Sequence, residues 1–84
     1  MIRYRLSHHA RLMVAERGID PSWIERVLEK PLRTERDGAD SELGHALGRI
    51  PEYGGRVLRV IYNDTAMPWL IVTAYFDRSM RDTL

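Results

Sequence analysis

Apolar and polar residues alternate at the start of the chain. Ile2, Tyr4 and Leu6 fall on one side of "IRYRL", the period-two pattern of a short strand. The period then lengthens: Ala10, Met13, Val14 and Arg17 share one stripe at roughly 100° per residue. This predicts a helix over about 8–17, with Ser7 as N-cap and Gly18 just past its end. Asp20 and Pro21 mark a second helix start, Trp23, Ile24, Val27 and Leu28 recur at helical spacing, and Pro31 stops the run.

The remainder reads as sheet. "LRTER" and "ELGHALGRI" flank the turn-rich "DGADS", and "PEYGG" separates the second segment from "RVLRVIYND". After "TAMP" comes "WLIVTAYF", a strand rich in β-branched and aromatic residues. The polar tail "DRSMRDTL" is a frayed end or a short helix. The expected architecture is one α+β domain spanning 1–84. Two N-terminal helices pack on one face of a three- to four-stranded antiparallel sheet.

Register then sorts the side chains by face. With "PEYGG" as a simple hairpin loop, Ile50 pairs with Arg56, Gly48 with Leu58, Ala46 with Val60 and Gly44 with Tyr62. Small residues opposite large ones suit a face covered by helices. The other face carries His45, Leu47 and Arg49 beside Val57, Arg59 and Ile61. On the last strand Leu70, Val72, Ala74 and Phe76 form the apolar set, with Ile71, Thr73 and Tyr75 opposite. His45, Arg49, Arg59, Thr73 and Tyr75 thus share one less-covered face, and a slip of one residue would reverse any strand's set. Singly, each has an ordinary use: Thr73 and Tyr75 are good strand formers, and Arg59 could pair with a carboxylate such as Glu42. Together they bring two guanidinium groups, a phenol, a hydroxyl and an imidazole to one surface, a candidate functional face.

The first helix adds two candidates. Arg17 lies on the stripe near the C-terminal end, placed to clamp the helix to its neighbours or to meet a carboxylate. His9 sits in the first turn, where the positive end of the helix dipole disfavours imidazolium and favours a neutral, proton-accepting ring. His8 points the other way. A His8/His9 metal pair is not expected, because adjacent helical residues diverge and no third ligand has suitable spacing.

Composition narrows the setting. The 84 residues allow one modest core, and 44% apolar with 30% charged residues is ordinary for a globular domain. There is no cysteine, hence no disulfide or thiolate metal site. No run approaches a membrane span and "MIRYRLSHH" lacks the apolar core of a signal peptide, so the expected location is the cytoplasm. Net charge is only +1, yet Lys30 is the single lysine among thirteen basic residues. Arginine's planar fork suits phosphate and carboxylate, although a GC-rich genome also produces such a bias.

"SHHARLMVAERGIDPSWIERVLEKP" resembles the opening of the domain of unknown function 4258 family, and "GRVLRVIYN" and "LIVTAYFDR" resemble its later strands. The resemblance covers about residues 4–78 and implies the fold of small metal-independent ribonucleases, the RelE-like and BrnT-like toxins among them. It carries over His9, Arg17, Arg59, Thr73 and Tyr75. The implied activity is RNA cleavage by 2′-hydroxyl transesterification. His9 or His45 would be the base, Arg59 with Arg49 would hold the phosphate, Tyr75 would stack or donate a proton, and Thr73 would bind a phosphate oxygen. No cofactor or metal is called for. Expected partners are RNA, an antitoxin or other protein, and a second copy of the chain; no membrane is expected. The alternative is a non-catalytic interaction module that uses the exposed sheet face or edge, with Trp69 as an anchor unless that residue lids the core.

Overall fold

A computed structural model describes residues 2–84. Strand β1 (Tyr4–Leu6) leads into helices α1 (His8–Glu16) and α2 (Pro21–Glu29), followed by β2 (Arg33–Arg36), β3 (Leu43–Ile50), β4 (Arg56–Asn63) and β5 (Trp69–Phe76). Both helix starts use the expected caps. Ser7 Oγ accepts from the Ala10 amide at 3.0 Å, and Asp20 Oδ1 accepts from the Ser22 amide at 2.9 Å. Past α1, Gly18 adopts φ 64°, the left-handed value that favours glycine at a helix end. The polar tail forms one 3-10 turn, Arg78–Met80.

The sheet has five strands in the order β1-β5-β4-β3-β2, and β1 runs parallel to β5. It is therefore mixed, with more strands than the expected three- to four-stranded antiparallel sheet. Counting hairpins along the chain pairs only sequence neighbours, whereas the three residues of β1 find their partner at the far end. The outer edge of β5 would otherwise present unpaired backbone groups. Instead the Trp69 amide donates to the Arg3 carbonyl at 3.0 Å and the Ser7 amide to the Ile71 carbonyl at 2.9 Å. Ser7 Oγ donates to the Val72 carbonyl at 3.2 Å. Where β1 runs out, Arg17 Nη1 donates to the Ala74 carbonyl at 2.8 Å. Arg17 is a clamp between helix and sheet, although the residue itself is exposed.

The β3–β4 register is the expected one, from Ile50 opposite Arg56 to Gly44 opposite Tyr62. Helix α2 lies over its small side: a methyl group of Val27 is 3.0 Å from where a Cβ on Gly48 would stand. Gly44 is covered differently. Its cover is the ring of cross-strand Tyr62, which a Cβ would meet at 2.5 Å. Trp69 stacks on that ring with centroids 4.8 Å apart and is half-buried, so it lids the core. Ile24, Ile50, Leu58, Val60 and Ile71 fill the space between the helices and the sheet.

Strand β5 departs from strict alternation. Ile61 pairs with Thr73 but Tyr62 pairs with Ile71, which leaves Val72 as a bulge. The extra residue turns Ile71 into the core, where it is fully buried, and moves Leu70 to the opposite side. This reverses the expected faces of Leu70 and Ile71. Thr73 and Tyr75 lie beyond the bulge and keep theirs.

Two outcomes follow from this packing. Ala46→Leu should cost about 1–3 kcal/mol through overpacking beneath the helices, read as a lowered midpoint in a denaturant melt. Arg17→Ala should cost about 0.5–1.5 kcal/mol by releasing the Ala74 carbonyl, and a melt identical to that of the parent would remove the clamp.

Candidate functional site

On the face away from the helices, Arg59 occupies the middle of β4 with Leu47 on one side and Tyr75 on the other. Only 8% of the residue is exposed, so its charge must be met by the protein. Arg59 Nε donates to Asp77 Oδ2 at 2.8 Å, and Nη1 donates to Glu35 Oε1 at 2.8 Å. Nη1 also lies 2.7 Å from His45 Nδ1. On the far side of the ring, His45 Nε2 lies 2.8 Å from Asp37 Oδ1.

These contacts fix the histidine tautomer. A guanidinium only donates, so His45 Nδ1 accepts from Arg59 and Nε2 carries the proton shared with Asp37. The imidazole is therefore a neutral link that orients Arg59 from the side opposite Asp77. Arg59 Nη2 has no hydrogen-bond partner among the described residues, and no side-chain polar atom is both buried and unpartnered. That nitrogen consequently keeps access to solvent.

Burial works against the Arg59 charge, but the hydrogen bonds to Glu35 and Asp77 outweigh it and hold the pKa above the usual arginine value. The acids move the other way. The Arg59 hydrogen bond lowers Glu35, and the His45 hydrogen bond, backed by the Ala39 and Asp40 amides, lowers Asp37. Asp77 is lowered chiefly by the Ser79 hydroxyl, with Arg59 adding to it.

The structure brings together His45, Arg59, Thr73 and Tyr75 on one face, with Tyr75 directly across from Arg59 and Thr73 across from Ile61. Arg49 shares the face but is otherwise engaged. Its guanidinium donates to the carbonyls of Gly55 at 2.8 Å, Leu84 at 2.9 Å and Arg81, pinning the C-terminal segment to the sheet. His9 is exposed at the start of α1, in the helical layer, and makes no hydrogen bond to the cluster. Arg17 likewise stays with the β5 edge. Among the described residues no group of three or more acidic or histidine side chains is placed to hold a metal ion. No helix there is long and apolar enough to cross a membrane.

Three carboxylates completing the cluster escaped the sequence reading, which offered Glu42 as Arg59's partner. Glu35 faces His45 directly across the β2–β3 hairpin, so registering "TER" against "GHA" around "DGADS" would have found it. Asp77 continues the alternation of Thr73 and Tyr75 one step past the strand. Asp37 opens the hairpin turn, and the Ala39 and Asp40 amides donate to its other oxygen.

Residues 6–76 match a family described as a domain of unknown function, DUF4258. The chain belongs to this family. No curated protein and no solved structure matches it. The matched stretch of this DUF4258 domain runs from the end of β1 to the end of β5 and contains Glu35, Asp37, His45, Arg59 and Tyr75. Asp77, the second acid on Arg59, lies one residue beyond it.

The depressed acids set the pH response. A carboxyl with a lower pKa in the folded chain stabilises it above the unfolded value, and that contribution is lost as pH falls through the folded value. Glu35 starts from an ordinary 4.5, Asp37 and Asp77 from 3.8, and all three are lowered. The melting temperature should therefore hold down to roughly pH 4.5 and fall steadily below it. In Asp77→Asn the protein should start less stable and lose less on acidification, and an unchanged acid slope would exclude Asp77 from the response. Arg59→Ala should cost about 1–3 kcal/mol, because Glu35 and Asp77 lose their donor.

Proposed function

We propose that this domain cleaves RNA by metal-independent 2′-hydroxyl transesterification on the open face of the sheet, in the manner of RelE-like ribonucleases. The observation that carries the reading is the free Nη2 of Arg59, a donor on a fixed cation standing among Glu35, His45 and Tyr75. A phosphate approaching that nitrogen competes with Glu35 for the guanidinium. The released carboxylate loses the bond that lowered its pKa and becomes a better base.

The reaction then has a complete set of parts. Glu35 takes the ribose 2′-hydroxyl proton, and the 2′-oxygen attacks phosphorus as the bond to the 5′-oxygen breaks. Tyr75 gives its phenolic proton to the departing oxygen, and solvent exchange returns the Glu35 proton to Tyr75. Arg59 meets the charge that grows on the phosphoryl oxygens, held in place by His45 and Asp77. The base comes from the cluster, whereas His9 stands in the other layer. Thr73, exposed to the same face, binds a non-bridging oxygen. A cytoplasmic setting and control by a protein antitoxin belong to the same reading.

Incubation with single-stranded RNA should give products ending in 2′,3′-cyclic phosphate or its hydrolysed 3′-phosphate, with cleavage persisting in EDTA and DNA left uncut. Glu35→Gln should lose on the order of 10²–10⁴ in rate, and Tyr75→Phe should lose activity without unfolding. Products with 5′-phosphate ends, or no cleavage by folded protein, would overturn the reading.

A further inference from the structure

Beside the Arg59 cluster lies a cleft of about 730 Å³ that the proposed chemistry leaves unused. Its lining includes Arg49, Arg56, Arg78 and Arg81. Arg49 is spent on backbone carbonyls, but its charge remains in the cleft wall. No ion pair among the described residues engages Arg56, Arg78 or Arg81. Asp77 also lines the cleft, and it is occupied by Arg59 and Ser79; Asp82 is the other acid. Three uncommitted guanidinium groups around one cavity are unusual in a chain of net charge +1.

The rim has a second character. The Arg56 guanidinium carbon lies over the Tyr53 ring at 4.6 Å from its centroid, and Tyr53 packs on Phe76 with centroids 4.8 Å apart. Phe76 itself lines the cleft. A guanidinium over an aromatic ring offers a stacking partner for a nucleobase, and a base can reach it only if it is not already stacked inside a duplex. Double-stranded nucleic acid would offer phosphates but no free base.

We propose that this cleft is a binding track for the backbone of single-stranded nucleic acid, which carries the strand away from the cleavage site. Arg56, Arg78 and Arg81 meet successive phosphates, and Arg56 on Tyr53 stacks one base. Asp77 joins the two places, since it holds Arg59 on one side and lines the cleft on the other. The proposal rests on the reading of the sheet face as an RNA site, and it extends that site by the part that grips the strand. Phosphate contact and stacking do not depend on the 2′-hydroxyl, so single-stranded DNA occupies the track without being cut.

That property gives a probe that separates the two proposals. A fluorescent single-stranded DNA oligonucleotide is titrated with the protein by anisotropy at several salt concentrations. Three phosphate contacts give a logarithmic salt slope near −2, or a roughly 20-fold loss of affinity between about 50 and about 200 mM salt. Each of Arg56→Ala, Arg78→Ala and Arg81→Ala should flatten the slope by about 0.7. Arg11→Ala, which removes a charge from the helical layer, should leave it unchanged. A duplex of the same length should bind more weakly than the single strand. No binding, tighter binding of the duplex, or a triple-alanine variant with the parent's slope would each overturn the track. The two outcomes are separable: uncut RNA with the expected slopes removes the catalytic reading and leaves the track standing.

Discussion

A single cation, buried in the middle of a strand, organises the face of this sheet that the helices leave open. The Arg59 guanidinium could not lie between Leu47 and Tyr75 without partners, and those partners come from three separate parts of the chain. Glu35 arrives on the edge strand, His45 on β3, and Asp77 just past the end of β5. Meeting one buried charge therefore ties both halves of the sheet together, beside the buried Leu47 and Val57 on the same face. The same bonds leave one nitrogen uncommitted, so the requirement of burial also produces a fixed donor facing solvent. The cohesion of this face and the donor it exposes have one origin, and a substitution at Arg59 alters both.

Much of this architecture could be read from residue order. Ser7, Gly18, Asp20 and Pro21 mark helix ends through local hydrogen bonds and backbone angles, which need nothing from elsewhere in the chain. The β3–β4 register was legible because a short loop joins the strands and a row of small residues then falls opposite large ones. What could not be read depends on distance along the chain or on a break in periodicity. The parallel pairing of β1 with β5 leaves no mark on either segment. The bulge at Val72 sits in a run of apolar residues that looks the same in both registers.

The candidate site divides along the same line. His45, Arg59, Thr73 and Tyr75 were sorted correctly because alternation alone assigns a face. Their acidic partners were missed because a carboxylate in a hairpin turn, or one step past a strand, looks like any solvated residue. His9 differs in kind: it lies in the helical layer, away from the cluster, and its place in a first helical turn does not reveal that. Arg49 fits phosphate by chemistry and is taken up by the carbonyls of its own chain.

Ser7 does two jobs with one hydroxyl. Its oxygen accepts from the Ala10 amide to start α1 and donates to the Val72 carbonyl at the edge of β5. The helix that is synthesised first is thus completed by the strand that is synthesised last. During translation, residues 4–16 leave the ribosome with no floor beneath them, and their apolar side stays uncovered until Trp69–Phe76 have emerged. Folding of this domain therefore waits for its last strand, with the contacts of greatest sequence separation closing the structure. Two ends that meet only at completion make the order of events a property of the fold itself.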